Sequence, residues 1–168
     1  KSNSKVPWWQ FSTLPVFTCP GAGPCADWCY SFHAWRQPGA FYRQVQNTLL
    51  LRWAPEVVRC AFLALPDGTG FRLYVDGDFD SLETVAFWMR VLTERPDVWT
   101  YGYSKSWDLL IAHDRAGGVW ADNYTLNLSS GGVSYATREE MERLPIHRGA
   151  FLTLPNVRVP KGKKGEAQ

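Results

Sequence analysis

Between Thr18 and Tyr30 the sequence reads T-C-P-G-A-G-P-C-A-D-W-C-Y, which sets Cys19, Cys25 and Cys29, three of the four cysteines, within one short loop. Thiolates are soft metal ligands, and Pro20, Gly21, Gly23 and Pro24 would hold such a loop tight around a small inorganic centre. Exposed backbone N–H groups in the loop would donate to cluster sulfides and tune the centre. If residues 25–35 form one helix, Cys25, Cys29 and His33 share a face at i, i+4 and i+8, with Cys19 supplied by the loop before it.

Four chemistries compete for these thiols. An iron-sulfur centre comes first. A [4Fe-4S] cluster takes four ligands, so three cysteines leave one iron open unless Cys60 or His33 closes it. Zinc comes second, because Cys19, Cys25, Cys29 and His33 form a Cys3His set. That set is similar to the loop-rich fingers that bind RNA or protein, with Trp28, Tyr30 and Phe32 as stacking candidates. A disulfide framework is third: the cysteine count is even, but nothing points to secretion. Plain structural or reactive thiols are fourth. Cys60, in E-V-V-R-C-A-F-L-A-L, reads as a small buried hydrophobe.

A single α/β fold would have to position these groups. The chain has 168 residues, 45% hydrophobic and 20% charged, which is the composition of one globular domain with a sizeable core. We expect that domain over residues 1–160 and a disordered basic tail over 161–168. A net charge of +2 gives no electrostatic case for nucleic acid, and no apolar run reaches membrane-spanning length. A cytoplasmic setting with reduced thiols is the expectation, with an unidentified small molecule or macromolecule as partner. The 9 Trp, 7 Tyr and 9 Phe argue for a dense core or for a pocket with stacking walls.

Strands are expected at residues 8–13, 71–75, 98–103, 120–128 and 151–154. Helices are expected at 25–35, 38–53, 55–65, 80–94 and 106–113, with a short one opened by Thr137. Pro38 suits a first helical position. Asp80 with Glu83, and Thr137 with Glu140, read as capping boxes. This alternation predicts a partial (β/α) barrel or an open, mostly parallel sheet with flanking helices. In such folds function gathers at the C-terminal strand ends. Those ends carry the cysteine loop, D-G-D-F-D-S from Asp76, Y-G-Y-S-K-S from Tyr101 and N-L-S-S-G-G from Asn127. Gly77 permits close backbone approach, Lys105 suits a carboxylate or phosphate, and Asn127 or Ser129 a ribose or carboxylate. Asp76 and Asp78 suit an ammonium group. Phosphate-binding loops of the Walker type and dinucleotide fingerprints are absent, and the Asp76–Asp78–Asp80 alternation lacks the closing glutamate of a calcium hand.

The cysteine block, then L-Y-V-D-G-D-F-D-S, then Y-G-Y-S-K-S-W, in this order, resembles a phage and plasmid family known as gene product eighty-eight. The likeness spans about Trp8 to Gly132. In outline that family is similar to radical-SAM proteins, which carry a three-cysteine loop after the first strand of a partial barrel. The resemblance implies a [4Fe-4S] cluster on Cys19, Cys25 and Cys29, with Gly77 and Asp78 at its rim and Tyr30 beside it. It also raises S-adenosylmethionine as a ligand of the open iron, its amino group facing Asp78. The loop departs from the radical-SAM spacing C-x3-C-x2-C by two residues in the first gap and one in the second. D-G-D-F stands where a G-G-E-P-like stretch would follow the second strand.

Overall fold

A computed structural model of the chain describes residues 8–151. Residues 1–7 and 152–168, including the expected tail, lie outside the described residues. Five strands form one sheet: β1 (Trp9–Gln10), β2 (Gly70–Leu73), β3 (Trp99–Ser104), β4 (Tyr124–Ser129) and β5 (His147–Phe151). The spatial order is the chain order, and every neighbouring pair is parallel. The helices are α1 (Ser31–Ala34), α2 (Pro38–Trp53), α3 (Pro55–Leu63), α4 (Leu82–Thr93), α5 (Trp107–Arg115) and α6 (Arg138–Glu142).

This order has a consequence for layering. Parallel crossovers are right-handed, so a sheet that always steps the same way receives its helices on one face. The core fills that side. Leu73, Tyr124, Leu126 and Leu128 from the strands meet Trp88, Met89 and Leu92 from α4, Leu110 from α5 and Met141 from α6, all essentially buried. The alternate strand residues Arg72, Tyr101, Tyr103, Thr125 and Asn127 point the other way and stay only part-buried, and Trp99 is 52% exposed. The sheet is open, running from β1 to β5, and is wound in one direction like a segment of a (β/α) barrel.

Local chemistry explains most boundaries. α2 and α3 each begin at a proline, whose fixed φ and missing N–H suit the first turn. The Thr137–Glu140 capping box opens α6 as expected. The box on α4 belongs to Ser81 and Thr84, one residue later than Asp80 and Glu83. Both pairs have the i, i+3 spacing, but Asp80 is drawn away to Arg52 on α2, at 3.2 Å. β2 ends at Leu73, not Val75, because Tyr74 turns into the left-handed region at φ 54°. That turn buries its ring against Phe11 and Phe79, and its hydroxyl accepts from Trp88 Nε1 at 3.1 Å.

Four further expectations need correction. The first strand is regular for two residues only; irregular bonds carry the pairing on, from Phe11 N to Arg72 O and from Thr13 N to Asp76 O, both 3.0 Å. β4 starts at Tyr124, because a turn from Ala121 precedes it. β5 occupies residues 147–151, ahead of the expected 151–154, of which 152–154 lie outside the described residues. The helix expected over residues 25–35 is broken into a 3-10 turn, Pro24–Ala26, and the single-turn α1. Cys25, Cys29 and His33 therefore share no helix face. The loop is held by contacts to distant strand ends, which override its local helical spacing. No helix among the described residues is long and apolar enough to cross a membrane.

Candidate functional site at the strand ends

The cysteine loop lies across the C-terminal ends of β2, β3 and β4. It is pinned backbone to backbone. Gly21 O accepts from Val133 N at 3.1 Å, in the loop after β4. A Cβ on Gly21 would stand 1.9 Å from the Lys105 carbonyl oxygen after β3, so only glycine fits this approach. The T-C-P-G block thus owes its first glycine to neighbouring backbone.

Beneath the loop is a cavity of about 410 Å³. Its loop wall carries Cys19, Cys25, Cys29 and Tyr30; its sheet wall carries Arg72, Gly77, Asp78, Tyr103, Lys105 and Ser129. Eight of the nine site residues expected from sequence therefore meet here. Asn127 does not line the cavity; it lies on the part-exposed sheet face, its amide 3.5 Å from the Gly102 carbonyl. His33 and Cys60 do not line it either, and both are exposed. The burial expected for Cys60 is overturned: it occupies the solvent side of α3, while Val58 and Phe62 take the core side. All four cysteines are free thiols, so no disulfide framework exists.

The three loop thiols are each part-buried. Burial, reinforced by the nearby Asp78 carboxylate, pushes the Cys19 thiol up to about 12. Lys105 Nζ donates to Cys25 Sγ at 2.9 Å, placing a cation against one candidate ligand. The Tyr30 ring is exposed, but its hydroxyl turns inward and donates to the Val75 carbonyl. Among the described residues, no group of three or more His, Cys, Asp and Glu side chains is placed to hold a single metal ion. The thiols line one cavity without converging on one point.

The acidic pair differs from expectation. Asp78 is 5% exposed. Its Oδ1 accepts from Phe79 N at 2.8 Å and Ser104 Oγ at 2.7 Å, and its Oδ2 accepts from Lys105 N at 2.7 Å. Burial nevertheless outweighs these bonds and raises the carboxyl from 3.8 to about 6. Asp78 is thus a brace between the ends of β2 and β3, where a free carboxylate facing an ammonium was expected. Asp76 is a second brace: Ser31 Oγ from α1 and Gln44 Nε2 from α2, the latter at 2.9 Å, donate to its carboxylate. Gly77, between them, has φ 80°; a Cβ there would stand 2.0 Å from Thr13 Oγ1. Its close approach is to threonine side chains beneath the rim.

Arg72 is the site residue that sequence reasoning missed. It sits at an alternate position in F-R-L, on the face away from the core, and strand periodicity alone could have placed it there.

No curated protein and no solved structure matches the chain. The family model described as Gene product 88 matches residues 1–153, which takes in the cysteine loop, every strand and the whole cavity. The chain belongs to the Gene product 88 family.

Proposed function

We propose that this is an iron-sulfur protein in which Cys19, Cys25 and Cys29 hold a [4Fe-4S] cluster with one iron free of protein ligands. The observation that carries the reading is that all three thiols, and neither Cys60 nor His33, line the same cavity at the strand ends. A cluster places each cysteine on a different iron, so thiols spread around a cavity suit it. A single zinc would need four ligands within about 2.3 Å of one point, and the exposed His33 leaves the Cys3His set without its imidazole. When bound, such a cluster supplies single electrons and, at its open iron, a coordination site for a ligand such as S-adenosylmethionine.

The chain's own residues support that role in three ways. Lys105 offsets thiolate charge at Cys25. The docked Gly21 loop fixes the spacing of the cysteines before anything binds. The 410 Å³ cavity leaves room beside the thiols for a small molecule, sheltered by Trp28 and the Tyr30 segment.

Anaerobic purification followed by iron, sulfide and zinc counts tests the proposal. We expect iron and sulfide, with broad absorption at roughly 400 nm from thiolate-to-iron charge transfer. Alanine at Cys19, Cys25 or Cys29 should abolish it. One zinc per chain without sulfide would defeat this reading. Calorimetry of the cluster-replete protein with S-adenosylmethionine tests the open site separately.

A further inference from the structure

Arg72 stands on the sheet wall of the cavity, and its Nε–H is buried with no hydrogen-bond partner. A buried donor left without an acceptor is costly and uncommon. The guanidinium is held in place by two aromatic rings, with Cζ 5.8 Å from the Tyr101 centroid and 5.4 Å from that of Tyr103. No carboxylate among the described residues forms an ion pair with it. The cavity wall therefore carries a cation set against two aromatic rings, with an Nε–H that has no acceptor among the described residues.

We infer that Arg72 is the head-group clamp of a carboxylate-binding site, which takes a small organic acid whose apolar body lies against Val16, Trp28 and Val75. The planar guanidinium matches a carboxylate through parallel N–H donors, Nε among them. The choice of a monoanion follows from the rest of the wall. Asp76 and Asp78 also line the cavity, and the Lys105 ammonium is already placed on Cys25. A phosphate dianion would meet two carboxylates with a single available cation, whereas a carboxylate asks for no more than Arg72 provides. The apolar neighbours exclude water and strengthen the pairing. Arg72 stands on β2 and is held by Tyr101 and Tyr103, so its role as a clamp does not rest on the proposed cluster, although the two share one cavity.

The test uses the full chain and two probes with the same ring. Phenylacetate carries the carboxylate, and 2-phenylethanol is its neutral counterpart. Ligand-observed saturation-transfer NMR should show saturable binding of phenylacetate, roughly tenfold or more tighter than 2-phenylethanol. Arg72→Gln should bring the two probes to similar weak affinity, and Arg72→Lys should restore only part of the preference. Equal binding of both probes to the wild type would overturn the inference, as would no binding of phenylacetate. So would a preference that survives in Arg72→Gln. The wild-type comparison decides on its own should the Gln variant fail to fold.

Discussion

Asp78→Asn isolates the cost of a buried charge at the cavity rim. The carboxyl is raised from 3.8 to about 6, with burial as the leading cause and the bonds from Lys105 N, Ser104 Oγ and Phe79 N opposing it. In the unfolded chain the group loses its proton near its ordinary value; in the folded chain it keeps it until about pH 6. Between those values the folded state binds more protons, so stability falls as pH rises. At about 1.4 kcal/mol per pH unit the full effect is about 3 kcal/mol, most of it between pH 4 and 6.5. An asparagine cannot ionise and should lack this slope. It should carry instead a pH-independent loss of about 1 kcal/mol, because its Nδ2 would face the Lys105 N–H that Oδ2 now accepts. Thermal melts of both proteins, reduced and with an iron chelator, give the difference at each pH. For a chain of this size 1 kcal/mol corresponds to about 2–4 °C. The wild type should therefore lose about 5–10 °C relative to the variant between pH 4 and pH 7. A gap constant with pH would refute the reasoning. A gap of opposite sign would show that the three hydrogen bonds outweigh burial.

Three further outcomes follow from single contacts. Gly77→Ala should lower stability by at least about 2 kcal/mol, since it places a side chain at φ 80° and drives a Cβ into the Thr13–Thr18 hydroxyl pair; a melting temperature within a degree of wild type would contradict this. If Cys25 ligates the proposed cluster, Lys105→Met should retain iron but shift the reduction potential to more negative values, because that sulfur loses a charged donor; redox titration of the anaerobic protein measures it, and an unchanged or more positive potential counts against the contact. Cys60→Ala should leave iron content unchanged and stability within about 0.5 kcal/mol, as expected for an exposed helix position; loss of iron would show that the ligand set is wrong.

The sequence made the winding legible because periodicity survives translation into strands and helices: the alternating F-R-L and W-T-Y-G-Y-S runs became β2 and β3, and the prolines and the Thr137 cap marked helix starts. It also made most of the candidate site's lining legible, since a parallel winding brings successive strand ends to one rim whatever their exact bounds. The errors lie where a distant partner decides. Cys25–Trp35 has helical spacing, yet Gly21 and Gly23 dock on residues 105–106 and 131–132, and the segment folds as a loop. Asp78 looks like a free turn carboxylate until Ser104 and the Lys105 amide, 26 and 27 residues away, are seen to donate to it. Arg72 carries no motif; its significance is an orphaned Nε, which only three dimensions reveal.

The same braces bear on metal removal. Many small metal-binding domains are unfolded without the metal, because the ligand bonds supply folding energy that a small core cannot. Here the core lies on the helical face of the sheet, built from Trp88, Leu92, Leu110, Leu126 and Met141, none of which lines the cavity. The rim is fastened without the thiols: Asp78 joins β2 to β3, Asp76 holds α1 and α2, and Gly21 O accepts from Val133 N. The cysteines add no bond to this framework apart from Lys105 Nζ on Cys25 and the loop's own turns. A chelator-treated, reduced chain should therefore keep its helical circular dichroism and melt in one cooperative step. Losing the proposed cluster should lower the melting temperature by ligand linkage alone, without abolishing the transition. A Cys19→Ser, Cys25→Ser, Cys29→Ser triple variant should melt close to the chelated wild type, because both lack the ligand bonds and keep the braces. A featureless melt of the chelated chain would show that the cysteine loop carries folding energy that these contacts do not supply.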